Sequence, residues 1–182
     1  DIDSLTEKFP NCEILWDVPL GAERFDCLSE TLAPSAFSQE QAYLYRYFPN
    51  LREVDLRAAK LTEEDYEVLR DMLPDCRILW NVVLGESLVL ENEISSVTIP
   101  NAAMTEALLN NAGNFANISH IQVDYTNLSI EHFIALSQSF PEAKLEYEIS
   151  IGGSVVPHDA QKLDFSSVTD VDMDALITAM EL

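Results

Sequence analysis

Hydrophobic and polar residues follow one pattern at three places along the chain. In each eleven-residue copy, apolar residues occupy the first, fourth, sixth and eleventh positions, and a small residue occupies the ninth. The copies are segments 51–61, 94–104 and 118–128. The alternation of Val54, Asp55 and Leu56 predicts a short strand with one buried and one exposed face, because successive strand side chains point to opposite sides.

A helix is predicted after each strand. Thr62 and Ser129 each precede acidic residues and then apolar residues at helical spacing, so their hydroxyl groups are placed to cap the first amides of a helix. Ser38 and Thr105 stand in the same relation to the segments that follow them. The predicted N-caps are therefore Ser38, Thr62, Thr105 and Ser129, and the step from the first to the second equals that from the third to the fourth.

A second kind of unit interleaves with the helical units. Its copies are segments 14–22, 78–86 and 145–153, which align position by position. Each copy alternates in polarity, reaches glycine and then resumes with apolar residues, which predicts a β-hairpin. One position holds Trp16, Trp80 and Tyr147. Recurrence in register favours core packing of these rings over a row of ligand-stacking rings.

The eleven-residue pattern resembles that of the leucine-rich repeat superfamily, and its alternation with hairpins resembles irregular, uncharacterised bacterial proteins of that kind. The resemblance implies a curved parallel sheet that holds a macromolecular partner, on the surface of a bacterium or outside it, and it implies no chemistry. Ala59, Ala102 and Thr126 stand where the family usually has asparagine, so an asparagine ladder is not expected. Segments 51–61 and 118–128 are separated by one repeat offset. The same offset, subtracted from segment 94–104, puts Glu30 in a core position of an earlier, first copy. The first copy is therefore predicted to be degenerate, either a cap or a divergent repeat.

We therefore predict an α/β fold: a leucine-rich-repeat-like solenoid of short parallel strands, with helices on the opposite face and interleaved β-hairpin repeats. One domain is expected over residues 1–182, with superrepeats at about 1–66, 67–133 and 134–182. A composition that is 47% hydrophobic supports a substantial core. The chain begins near the end of one helical pattern and stops inside another, so we expect it to be part of a longer array.

Charge narrows the choice of partner. The chain has 32 acidic and 10 basic residues and a net charge of −22. Nucleic acid is disfavoured, because its phosphates require clustered Lys and Arg. The acidity either keeps the chain soluble or recognises a basic protein. On the predicted strands, the outward positions of the later half form an acidic patch of Asp124, Glu146, Glu148 and Asp164, whereas earlier outward positions hold Leu15 and Leu79.

No group of residues predicts catalysis, a metal or a cofactor. The three cysteines, Cys12, Cys27 and Cys76, occupy repeat positions and are expected to be reduced core residues. The acidic run at 170–174 lacks the glycine of a calcium loop, so the first turn of a helix is the favoured interpretation. His120, His132 and His158 match no catalytic signature. No apolar run approaches the ~18 residues of a membrane span.

The predicted function is a non-enzymatic protein-protein interaction module that presents an acidic sheet face to a partner. The alternative is a structural spacer between domains outside this sequence. A third hypothesis, an enzyme with its site at the hairpin tips, is disfavoured because the tips carry the turn residues Gly21, Gly85 and Gly152 rather than catalytic groups.

Overall fold

The computed structural model describes residues 2–12, 14–86, 88–126, 128–151 and 154–157. The chain divides into two compact units, Asp1–Asn81 and Val82–Leu182, called here the N-terminal and C-terminal units. The architecture is mixed α/β with parallel sheets and helices, as predicted. The single continuous domain stays a prediction.

The N-terminal unit contains a hairpin and a parallel sheet. Its elements are α1 (Ile2–Lys8), β1 (Asp17–Leu20), β2 (Glu23–Asp26), β3 (Thr31–Leu32), a 3-10 helix (Gln39–Tyr47), β4 (Glu53–Asp55), α2 (Glu63–Met72) and β5 (Arg77–Leu79). Strands β1 and β2 pair antiparallel across Gly21, whose φ of 61° a hairpin turn requires. Strands β3, β4 and β5 pair in parallel.

The C-terminal unit repeats this order. Its elements are β6 (Asn81–Leu84), β7 (Leu88–Glu91), β8 (Ser96–Ile99), α3 (Ala102–Asn110), a short 3-10 helix (Ala112–Asn114), β9 (His120–Thr126), α4 (Ile130–Ser139), β10 (Lys144–Ile151) and β11 (Ser154–Pro157). Strand β6 pairs with β7. Strands β8, β9 and β10 pair in parallel, and β11 pairs antiparallel with β10. The three predicted hairpins are confirmed.

The two parallel sheets, which are separate, repeat the same pattern of backbone hydrogen bonds. In the N-terminal unit, the amide of Arg52 donates to the carbonyl oxygen of Glu30 at 2.8 Å. In the C-terminal unit, the amide of Ser119 donates to the carbonyl oxygen of Ser95 at 2.9 Å. Ser119 follows Arg52 by the offset of the repeat copies, whereas Ser95 follows Glu30 by two positions fewer. The first strand of the N-terminal sheet therefore follows a shorter offset than the rest.

The alignment by a constant offset, which put Glu30 in a core position, is consequently wrong. Glu30 is exposed, and Leu32 is the buried residue that pairs with Val54. Val97 pairs in the same way with Ile121. The connection from the first to the second strand is two residues shorter in the N-terminal unit, so a constant offset misplaces the strand. With the shorter connection, Leu32 and Pro34 take the fourth and sixth positions, but Ser29, Phe37 and Gln39 at the first, ninth and eleventh still depart from the pattern. The first copy therefore remains degenerate, as predicted.

Two of the predicted helix caps are confirmed. The Thr62 hydroxyl accepts from the amide of Asp65, and the Asp65 carboxylate accepts in return from the amide of Thr62, which is a capping box. The Ser129 hydroxyl accepts from the amide of His132. These bonds satisfy amides that have no partner within the helix. The two equivalent cap positions thus start α2 and α4 in the same way.

The other two caps differ from the prediction. Thr105 is buried inside α3, where its hydroxyl is 2.8 Å from that of Tyr125. The N-cap of α3 is Asn101, whose side chain accepts from the amide of Met104. The prediction of Thr105 as a cap is wrong because Asn, which caps as well as Thr, comes four residues earlier. Ser38 does stand at an N-cap position, but its side chain makes no capping bond and the helix is 3-10.

Aromatic pairs confirm that the shared hairpin position belongs to the core. The rings of Tyr66 and Trp80 stack with centroids 4.8 Å apart, and those of Phe133 and Tyr147 meet edge to face at 5.6 Å. Trp80 and Tyr147 are buried. Trp16 is half-buried. Tyr66 of α2 and Phe133 of α4 thus each pack on the hairpin position that follows the helix, which accounts for the aromatic residue at Trp80 and Tyr147.

The cysteines fit their prediction in part. All three are free. Cys27 is buried and Cys76 is half-buried, but Cys12 is exposed and is not a core residue. Leu79, predicted to face outward, is buried, whereas Leu15 is 59% exposed. The position in the repeat therefore predicts to which side of a strand a side chain points, whereas the elements that pack around it determine whether it is buried.

Candidate functional site

Strands β9 and β10 have one buried and one outward face. On β9, Ile121 and Val123 are buried while Gln122 and Asp124 are exposed. On β10, Tyr147 is buried between outward positions 146 and 148. The outward positions are those that the alternation predicts. We call the exposed side of these two strands, at positions 120–124 and 144–148, the outward face.

A register shift divides this face. Glu146 pairs with Gln122, and the next paired residue on β10, Glu148, pairs with Thr126. Two residues of β10 therefore run beside four residues of β9, which is a β-bulge. A bulge bends its strand and re-aims the side chains beside it. Here the displaced residues include Asp124.

An open concavity of about 230 Å³ lies at this bulge. Its lining residues are Gln122, Val123, Asp124, Glu146, Tyr147, Glu148 and Pro157. Three predicted site residues are thus brought together around one depression. The fourth, Asp164, lies outside the described residues, as do the acidic run at 170–174 and His158.

Glu146 is engaged by two groups of its own chain. The Lys144 ammonium donates to Glu146 Oε1 at 2.5 Å. His120 Nε2 lies 3.3 Å from Glu146 Oε2, and this contact is an ion pair when the imidazole is protonated. The hydrogen bond from Lys144, followed by the charges of Lys144 and His120, holds the pKa of Glu146 below its usual value.

The two other carboxylates differ from Glu146. Within the described part of the chain, Asp124 and Glu148 make no hydrogen bond or ion pair. Both are exposed and line the concavity. Residues 82–182 contain fifteen acidic residues and only two basic ones, Lys144 and Lys162, so few cations are at hand to neutralise them. The outward face therefore keeps two carboxylates available to a cation from outside.

Sequence reasoning did not identify Lys144 and His120 as part of this surface. The sequence did contain a signal, because Lys144 and His120 point to the same side of their strands as Glu146 does. Positions 120, 122 and 124 share one side of β9, and positions 144, 146 and 148 share one side of β10. The concavity had no such signal. It depends on the bulge, and the residue at which two strands lose register is decided by their pairing.

The described residues show no arrangement that indicates metal chemistry or a membrane crossing. Among them, no group of three or more His, Cys, Asp and Glu side chains is placed to hold a metal ion. None of the helices within the described ranges has the length and apolar run of a membrane span. A comparison of the chain with protein-family models, curated proteins and solved structures finds no match.

Proposed function

We propose that this chain is a non-enzymatic protein-interaction module, built as a leucine-rich-repeat-like solenoid, whose outward face on β9 and β10 binds a basic segment of a partner protein. The repeated strand ladder supports the solenoid. The observation that carries the binding proposal is that Asp124 and Glu148 line an open concavity without a cation from the described part of their own chain.

The charge of the face determines what it can bind. Two exposed carboxylates about one depression attract Lys and Arg side chains and repel acidic ones. A depression of about 230 Å³ is below the ~300–1,000 Å³ of ordinary small-molecule sites, so contact with a surface segment fits better than enclosure of a ligand. Exposed charge pairs mainly accelerate association and select the partner, and they are sensitive to salt.

Binding of a defined basic probe tests the proposal. The probe is a synthetic peptide of alternating Arg and Gly, and a peptide of alternating Glu and Gly serves as its negative counterpart. The variant Asp124→Lys/Glu148→Lys is compared with Glu67→Lys/Asp71→Lys, which makes the same charge change at exposed positions of α2 in the N-terminal unit. We expect the first variant to bind the Arg peptide at least about 10-fold more weakly, and the second to change binding by about 2-fold or less.

Circular dichroism verifies that both variants stay folded. Equal losses in the two variants would show that net charge alone attracts the peptide, and the proposal would then be wrong. Absence of binding by the unmodified chain at low salt would also contradict it, and would favour the structural spacer.

A further inference from the structure

We infer that Lys144 and His120 form an internal competitor, which competes with the basic partner for the carboxylate of Glu146. Because they occupy Glu146, an incoming cation is confined to Asp124 and Glu148. This inference rests on the proposed function and adds a regulatory contact within the same face. It predicts that removing the competitor strengthens binding, which an ordinary contact residue would not do.

The geometry places the competitor within the binding surface. Lys144 and Glu146 are two residues apart on β10 and point to the same side. His120 is the cross-strand partner of Lys144 in the ladder, so its ring reaches the second oxygen of the same carboxylate. Both carboxylate oxygens of Glu146 therefore have a nitrogen within 3.3 Å or less. A partner cation must displace one of these groups to use Glu146.

The charged groups around this contact lie on β9 and β10. On β8, the residue opposite His120 is Ser96, and the outward positions of that strand carry no charge. The charged groups of the face on the neighbouring strand β10 are Lys144, Glu146 and Glu148, and Asp124 is the charged outward residue on β9. Among these carboxylates, Glu146 is the one that Lys144 and His120 both contact.

The affinity test compares two removals of one positive charge. Lys144→Gln is the test variant, and Lys60→Gln, at an exposed position of the N-terminal unit, is the matched control. With the Arg-Gly peptide as the probe, we expect Lys144→Gln to raise affinity roughly 3- to 10-fold and Lys60→Gln to raise it about 2-fold or less. In a Glu146→Gln background, Lys144→Gln should lose most of its effect, because the carboxylate that it releases is gone.

A substitution tests the role of His120. At a fixed pH, His120→Ala should raise affinity for the peptide about 2-fold or more, because it removes the group beside the second oxygen of Glu146. His132→Ala is the control, since His132 lies 3.9 Å from Glu106, a residue of α3, and not on the outward face. An unchanged affinity in His120→Ala would overturn the role of the imidazole.

A measurement without any partner separates this inference from the proposed function. The pKa of Glu146, followed by NMR of its side-chain carboxyl carbon, should rise toward its usual value in Lys144→Gln and stay unchanged in Lys60→Gln. If the peptide binds through Asp124 and Glu148 but Lys144→Gln behaves like Lys60→Gln in both measurements, the competitor is wrong and the proposed function stands. If the unmodified chain and Lys144→Gln both fail to bind, both proposals are wrong.

Discussion

The two parallel sheets have the same pattern of strand pairing, but the charged side chains on their outward faces are paired differently. In the N-terminal sheet, the paired residues Glu53 and Arg77 form an ion pair of 2.9 Å. At the equivalent positions of the strand pairing, the C-terminal sheet pairs His120 with Lys144, and both side chains contact Glu146. The N-terminal face is neutralised pair by pair. On the C-terminal face, both side chains contact one carboxylate, and Asp124 and Glu148 are left.

A second difference lies two residues further along the same strands. Asp55 accepts from the amide of Arg57 at 3.1 Å and from its guanidinium at 2.9 and 2.7 Å. A side chain that bonds the backbone two residues ahead favours a turn, and β4 ends at Asp55. The equivalent residues of β9 are Gln122 and Asp124, which form no such pair within the described residues, and β9 continues into the bulge.

The residues at outward positions thus differ between the two sheets, while the pairing of the strands is the same. Exposed ion pairs contribute only about 0–1 kcal/mol, so exchanging them costs the fold little. The buried positions of the two sheets, by contrast, keep their apolar character. The same arrangement of strands can thus present either a face whose charges are paired within the chain or a face with carboxylates that a partner can bind.

The largest expected effect concerns the cores of the two units. Leu56 in the N-terminal unit and Leu136 in the C-terminal unit are fully buried, so Leu56→Ala and Leu136→Ala should each destabilise the fold by about 2–5 kcal/mol. Both tryptophans, Trp16 and Trp80, belong to the N-terminal unit. A single cooperative domain requires that both variants lower the urea midpoint of tryptophan fluorescence. A normal fluorescence midpoint for Leu136→Ala would contradict the prediction of one domain.

A smaller effect is expected at the helix caps. Thr62→Ala and Ser129→Ala each remove one hydroxyl that accepts from a helix amide, and the bond from the amide of residue 62 to the Asp65 carboxylate remains. We expect a loss of about 0.5–2 kcal/mol for each variant. Urea unfolding followed by circular dichroism measures both. Unchanged stability in either variant would show that its hydroxyl contributes nothing as a cap.

The smallest effect is the contribution of Asp55, in the N-terminal sheet, to the pH dependence of stability. The hydrogen bond from Arg57 lowers the pKa of Asp55 below its ordinary value of 3.8, against the opposing effect of burial. The ionised carboxylate therefore stabilises the fold above the unfolded-state pKa, and this contribution is lost as the pH falls through the lower folded-state pKa.

Asp55→Asn should consequently reduce stability at pH 6 by less than about 1 kcal/mol and should flatten the loss of stability between pH 5 and 3. Gln122→Asn, at the equivalent position of β9, is the control and should leave this pH dependence unchanged. Thermal unfolding at a series of pH values measures both variants. An undiminished acid sensitivity in Asp55→Asn would assign the effect to other carboxylates.

Prediction from the sequence succeeded where the determining contacts are local. The alternation of buried and exposed residues on β9 and β10 follows from side chains that are adjacent in sequence. The cap at Thr62 depends on a residue three positions away. It failed at Glu30, because no local signal shows that a connecting segment is shorter by two residues. It also failed at Cys12, which is exposed, because a position in a repeat pattern does not by itself show which elements pack over the side chain.

Three features can therefore be predicted from the residues alone: the alternation of strands, helices and hairpins, the outward direction of Asp124, Glu146 and Glu148, and the excess of acid over base. Four others appear only in the folded chain: the register of β3, the bulge beside Asp124, the concavity, and the contacts of Lys144 and His120 with Glu146. The physical reason is distance along the chain. Side-chain direction is set within a strand, whereas register and charge pairing are set between strands that a whole helical segment separates in sequence.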